Sequence, residues 1–313
     1  MANSDSARLR PTIVFVLGMF RSGTSALTRV LSLSGAALPP AMMGAGPGNP
    51  RGFWEPRRAV FLNDGILRAQ GSASTDPRIR HYEPRAKDFA AVRDYLRGLP
   101  PAPVTVIKDL QITVLPDLWF SAARAAGFNV AAAICVRHPQ EVIESTDKVS
   151  LRPQSTLSAA LWLKYTLLAE QRTRSIRRVF VDYAYLLDDW RREVKRVSAA
   201  LSVDLSPDEA AVEDFLRPGD RHQVAAAECP APFGLRWPER VYRQLRLAAG
   251  DEGFDRGELD RVFREYCGVA NGFGAAFESH GKLEAMHRVV PRPLAKLFIE
   301  VHALAHGRRG TWA

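Results

Sequence analysis

Apolar residues fall along this chain in two kinds of run. Short unbroken stretches, rich in β-branched residues, recur at Thr12–Leu17, Val104–Ile107, Asn129–Val136 and Arg178–Asp182. Continuous apolar runs of this length read as strands buried on both faces. Between them lie longer stretches with helical spacing. Ser25–Leu33, Pro56–Arg68, Ala86–Leu96, Asp117–Ala126, Leu186–Leu201 and Pro207–Leu216 predict helices, and Glu141–Val149 starts one. Ser155–Arg174 predicts an amphipathic helix, with Ser155 as N-cap and Leu157, Leu161, Tyr165 and Leu168 on one face. Gly35–Gly52 is rich in Gly, Pro and Ala and reads as a long loop, and Ser72–Pro84 is irregular. Loops of such length in compact domains are lids, binding loops or mobile segments.

Strands alternating with helices predict an α/β fold, a parallel sheet flanked by helices in a three-layer sandwich like that of the P-loop NTPases. Beyond Pro218 only helical patterns remain, at Glu239–Ala249, Gly257–Tyr266 and Pro293–Ala305. With no break in composition and no internal repeat, the expectation is a single domain, its core at 12–222 and a helical C-terminal extension at 223–313. Ligands of such folds bind beyond the carboxyl ends of the strands. Three polar clusters stand at those ends: Arg21–Ser25, Lys108-Asp109 and Arg137-His138.

Composition narrows the picture. The chain carries a net charge of +9, which suits an anionic partner. The basic residues are scattered and no nucleic-acid-binding module is recognisable, so a nucleotide carrying several phosphates is favoured over nucleic acid. The three cysteines, Cys135, Cys229 and Cys267, form no CxxC pair, so neither zinc nor a disulfide framework is expected, and no metal ligand set is assigned. Cys135, in an apolar run, reads as buried filler. The longest apolar runs, Ile13–Leu17 and Val130–Val136, fall far short of the roughly 20 residues that cross a bilayer. Without a secretory signal at Met1–Pro11, a cytoplasmic protein is expected.

Gly18-Met19-Phe20-Arg21-Ser22-Gly23-Thr24-Ser25 joins the first strand to the first helix and has the glycine spacing and final Ser of a P-loop. Glycines let successive N–H groups point inward, and the helix that follows adds the positive end of its dipole. The lysine of a nucleoside triphosphatase is missing. Thr24 stands in its place, and the cation has moved inside the loop to Arg21.

Arg-Ser-Gly-Thr-Ser after a first strand resembles the 5′-phosphosulfate loop of the sulfotransferases that use 3′-phosphoadenosine-5′-phosphosulfate (PAPS), in the variant with Arg instead of Lys. The resemblance implies that Arg21, Ser22, Gly23, Thr24 and Ser25 hold the 5′-phosphate and sulfonate. Ala131–Ser145 resembles the 3′-phosphate motif of the same family: a strand, then Arg137, then Pro139 opening a helix, then Ser145 eight residues after the Arg. Arg137 would leave the strand end as a fork able to grip phosphate with two bonds. Arg178–Tyr183 resembles the family's strand ending in a Tyr near the adenine, which implicates Tyr183. Arg217–His222 is a basic loop where relatives supply late cofactor contacts, which implicates Arg221. The resemblance spans Ile13 to His222.

Sulfonate transfer needs a base and a cation at the leaving oxygen. Gly52-Phe53-Trp54-Glu55 is similar to relatives in which the Glu is the base, and proximity to Trp54 and Phe53 would raise the pKa of Glu55. The competing role is capping of the next helix. Lys108, ending the second strand, is the cation expected to stabilise the sulfonate or place the acceptor. Many relatives continue Lys-Asp with Pro-Arg; here Leu110-Gln111 follows. His138 is a rival base, its place beside Pro139 favouring a structural role. The function implied is transfer of a sulfonate from PAPS, leaving 3′-phosphoadenosine-5′-phosphate (PAP), to a hydroxyl of a small-molecule, glycan or lipid acceptor. Two alternatives stay open: a P-loop kinase or NTPase, with Asp109 and Asp182 as candidate Mg²⁺ carboxylates, and a non-catalytic nucleotide-binding protein.

Overall fold

The structure, a computed structural model, describes residues 10–46, 48–149, 155–216 and 235–272, with residues 297, 300, 301, 303 and 304 near the C-terminus. Four strands, β1 (Thr12–Leu17), β2 (Val104–Lys108), β3 (Asn129–Val136) and β4 (Arg177–Asp182), form one parallel sheet in the order β2-β1-β3-β4. The helices are α1 (Thr24–Leu33), α2 (Arg57–Ala69), α3 (Ala86–Arg97), α4 (Pro116–Ala125), α5 (Pro139–Asp147), α6 (Ser155–Arg172), α7 (Tyr183–Asp188), α8 (Trp190–Leu201), α9 (Glu209–Phe215), α10 (Trp237–Ala249) and α11 (Arg256–Gly272).

Strand period decides the layers, because successive side chains point to opposite faces. Ile13, Phe15 and Leu17 of β1, with Ile107, Ile134 and Phe180 of the other three strands, pack against α3, α4, α6, α10 and α11. Val14 and Val16, with Val106, Ala133, Cys135 and Val181, pack against α1, α8 and α9. The predicted three-layer α/β sandwich is therefore the observed one. Cys135 is buried filler as expected, and burial pushes its thiol up to about 12. No described helix is long and apolar enough to cross a membrane. Trp237, Val241 and Leu245 of α10 and Tyr266 of α11 share the first of these two cores.

Two expectations are corrected. α6 is not amphipathic: every residue from Ser158 to Glu170 is buried. It runs between the sheet and α5, α10 and α11, so its polar residues must find partners inside. Lys164 donates from Nζ to the Asp76 carbonyl at 2.5 Å, and the Tyr165 hydroxyl donates to the Ser74 carbonyl at 2.7 Å. Glu170 pairs with Arg174 and Arg178. The predicted helix Leu186–Leu201 is broken at Asp189, whose carboxylate accepts from the Arg192 amide at 3.0 Å and caps α8. A short 3-10 turn, Leu110–Val114, follows β2 where the pattern predicted nothing.

The registers Val16↔Lys108, Leu17↔Ile134 and Val136↔Asp182 bring four strand ends to one edge of the sheet. That edge carries the three polar clusters seen in the sequence.

Candidate functional site

The loop from Gly18 to Gly23 turns sharply between β1 and α1. Gly18, Arg21 and Gly23 all have positive φ, 132°, 68° and 91°. For Arg21 this left-handed backbone is uncommon, and such strain gathers at functional sites. Gly23 is required on two counts: a Cβ there would lie 2.4 Å from Cδ2 of Tyr183, and its φ disfavours any L side chain. No side chain caps α1, so its N-terminal amides at Thr24 and Ser25 lie at the positive end of the helix dipole.

The loop meets the Arg137–Ser145 segment directly. Arg21 donates from Nε to the Ser145 hydroxyl at 2.9 Å, and Arg137 donates from Nη1 to the Arg21 carbonyl at 2.8 Å. Arg21 also donates from Nη1 to the Gly48 carbonyl. Burial, then the neighbouring Arg137, pushes the Arg21 guanidinium below its usual pKa. Arg137 is held from three sides. It pairs with Glu141 one turn along α5 at 2.9 Å, its guanidinium lies 4.6 Å from the centre of the Tyr183 ring, and its carbonyl accepts from Trp162 Nε1 at 3.2 Å. Arg21, Gly23, Arg137, Ser145 and Tyr183, drawn from three separate stretches of sequence, thus form one surface. Ser22 and Thr24 lie buried within it.

A second cluster adjoins Ser25. Lys108 Nζ donates to Glu55 Oε1 at 2.5 Å, to the Phe53 carbonyl at 3.2 Å and to Ser25 Oγ at 3.4 Å. Ser25 Oγ itself donates to the Phe53 carbonyl at 3.0 Å. Glu55 therefore does not stand alone in an apolar pocket. It is ion-paired, with 15% of its side chain exposed against 6% for Lys108. Pro56, not Glu55, occupies the N-cap position of α2. Gly48 and Phe53, late in the Gly35–Gly52 segment and just after it, meet the Gly18–Ser25 loop through their carbonyls, which accept from Arg21 and Ser25. Trp54, with φ of 54°, donates from Nε1 to the Arg51 carbonyl at 3.0 Å and stacks under Arg29 at 4.6 Å.

Two contributors, Asn63 and Thr113, are invisible in the sequence. Asp109 is buried and accepts from Asn63 Nδ2 at 2.7 Å and from the Gln111 amide at 3.0 Å. Thr113, on the turn after β2, accepts from the Gly18 amide at 3.3 Å. Hydrogen-bonding residue types on α2 and the turn were the only signal. His138 caps α5 by accepting from the Gln140 amide at 3.3 Å and rests edge-on against Tyr242. Asp182 caps α7, accepting from the Ala184 amide at 2.7 Å. Arg221 lies outside the described residues. Among the described residues no group of His, Cys, Asp and Glu is arranged to hold a metal ion.

The fold and site define an α/β protein with a glycine-turned strand-to-helix loop facing a second basic segment. No family model matches the sequence, and no curated protein matches it. Among solved structures, the chain is similar to a sulfotransferase domain from the curacin biosynthetic pathway, at 16% identity, covering 78% of this chain and 99% of that one with a TM-score of 0.43. It is similar to the sulfotransferase domain of the Synechococcus PCC 7002 olefin synthase at 19% identity, 86% and 96% coverage and a TM-score of 0.39. A mouse sulfotransferase complexed with PAP is a further neighbour, at 15% identity, 85% and 89% coverage and a TM-score of 0.38.

Proposed function

We propose that this protein is a PAPS-dependent sulfotransferase acting on a hydroxyl of a small-molecule, glycan or lipid acceptor. The observation that carries this is the junction of two anion grips. Arg21 of the phosphate loop reaches Ser145, while Arg137 reaches back to the Arg21 carbonyl. One surface thereby carries helix N-terminal amides, two guanidinium groups, a hydroxyl and the Tyr183 ring. Two guanidinium groups this close repel one another, and a multiply charged anion between them relieves that repulsion. A nucleotide phosphorylated at both ends supplies such an anion, whereas a nucleoside triphosphate has no need of the second grip.

The donor set fits PAPS. The amides of α1 with Arg21, Ser22, Gly23, Thr24 and Ser25 would hold the 5′-phosphosulfate, and Arg137 with Ser145 the 3′-phosphate, with Tyr183 beside the adenosine. Arg221 is kept as a further cofactor contact. When bound, PAPS supplies the sulfonate that is transferred. Glu55 would be the base that takes the proton of the acceptor hydroxyl. Lys108, within reach of both Glu55 and Ser25, would supply the positive charge near the donor-side oxygen. The two carboxylates a Mg²⁺ nucleotide would call on are already engaged, Asp109 with Asn63 and Asp182 as a helix cap.

Calorimetry with PAP against ATP and Mg²⁺ tests the assignment. PAP is expected to bind more tightly, and tighter ATP binding would overturn the sulfotransferase class. Arg137→Ala is expected to weaken PAP far more than adenosine 5′-monophosphate, and equal losses would remove the 3′-phosphate role.

A further inference from the structure

Behind Lys108 lies a buried chain of hydrogen bonds that the site as drawn does not use. Trp119, Asn63 and Asp109 are 0%, 0% and 2% exposed. The Trp119 indole is a donor only, and it donates from Nε1 to Asn63 Oδ1 at 2.7 Å. That bond fixes which way the Asn63 amide points. Only its NH₂ can face Asp109, and it donates to Oδ2 at 2.7 Å. The other oxygen, Oδ1, accepts from the Gln111 amide at 3.0 Å and so caps the 3-10 turn Leu110–Val114. The turn in its current form carries Thr113 to the Gly18 amide at the start of the phosphate loop. Asp109 therefore sits at the root of both functional clusters: Lys108 precedes it, and Gly18 is propped by the turn it caps.

We propose that Asp109 is a positioning residue whose ionised carboxylate, held by the Asn63 amide that Trp119 orients, keeps the phosphate loop and Lys108 in their binding geometry. Both of its partners are donors, so they match the ionised carboxylate, which only accepts, whereas a protonated Asp109 brings an O–H for which neither partner offers an acceptor. The charged and titratable groups around it are Lys108 at the end of β2 just before it, Glu55 from the segment before α2, and Tyr95 from α3, itself under Arg58 of α2 at 5.7 Å. Burial, then Glu55, raises the Asp109 carboxyl to about 7, against the opposing pull of Gln111, Asn63 and Lys108. The carboxylate that the geometry requires is thus lost as the pH falls through neutrality.

This rests on the sulfotransferase reading only for its ligand, PAP. The experiment is calorimetric titration with PAP from pH 5.5 to 8.5 for the wild type, Asp109→Asn and Trp119→Phe. Asp109→Asn is a neutral isostere of the protonated form. It is expected to bind PAP about tenfold more weakly than wild type at pH 8.5, about the effect of one lost bond to a charged group, and to converge with it at pH 5.5. Trp119→Phe frees the Asn63 amide to flip, and the midpoint of the wild-type transition is expected to rise by about half a unit or more. A deficit of equal size at every pH, or an unmoved midpoint in Trp119→Phe, would overturn the proposal. Should PAP not bind the wild type at all, the cofactor assignment fails. The carbon-13 titration of the Asp109 carboxyl in labelled protein then decides the anchor: a midpoint near 7 that Trp119→Phe raises upholds it, and one near 4 overturns it.

Discussion

Gly23→Ala is the sharpest perturbation of the surface that Gly23, Tyr183 and Arg137 share. The new methyl carbon would lie 2.4 Å from Cδ2 of Tyr183 and 3.0 Å from Cγ, where contact distances of roughly 3.5–4 Å are normal. The ring must move by about an ångström, at an overpacking cost of about 1–3 kcal/mol. A φ of 91° adds about 1–2 kcal/mol for an L side chain. The stiffer unfolded chain makes alanine the worse choice only after an offset of about 0.4–1 kcal/mol in its favour. The net destabilisation expected is about 2–4 kcal/mol, read as a fall in the urea midpoint at unchanged slope. The ring that moves is the one stacked 4.6 Å from Arg137. PAP affinity, measured by calorimetry at a temperature where the variant is folded, is therefore expected to drop as well. An unchanged urea midpoint together with wild-type PAP affinity would refute the packing of Gly23, Tyr183 and Arg137 into one surface.

Glu55→Gln is expected to bind PAP normally and to lose about 10²–10⁴ in PAPS turnover, measured as PAP release; retained turnover would remove Glu55 as the base. Lys108→Met breaks the pair with Glu55 and is expected to cost about 3 kcal/mol in a urea titration, part of it regained in Lys108→Met/Glu55→Gln. Lys164 is pushed down to about 8, chiefly by burial, so the folded protein releases this proton before the unfolded chain does. Its contribution to stability therefore rises with pH between about 8 and 10.5, by at most about 3 kcal/mol, and Lys164→Met is expected to abolish that slope in urea midpoints taken across the range.

The strands were legible because a parallel sheet covered on both faces leaves a run of apolar residues with nothing to interrupt it. Asn129–Val136 and Thr12–Leu17 match the observed strands end for end. α6 was misread for a related reason. Ser158, Lys164 and Glu170 are spread around the helix among apolar residues, and polarity alone cannot distinguish a charge in water from one paired inside the protein. The break at Asp189 was hidden because a capping carboxylate in the middle of an apolar pattern resembles an ordinary polar helix position.

The sequence alone determined the alternation of strand and helix, the glycine turn at Gly18–Ser25 and the basic residues at the carboxyl ends of the first three strands. These depend on local backbone preference and on the period of burial, which neighbouring residues carry between them. Only the tertiary structure decided that Arg21 reaches Ser145, that Lys108 is shared between Glu55 and Ser25, and that Trp119 orients Asn63 toward Asp109. Those partners lie far apart along the chain. Their meeting depends on strand order and register, which the whole core sets together and no short stretch encodes.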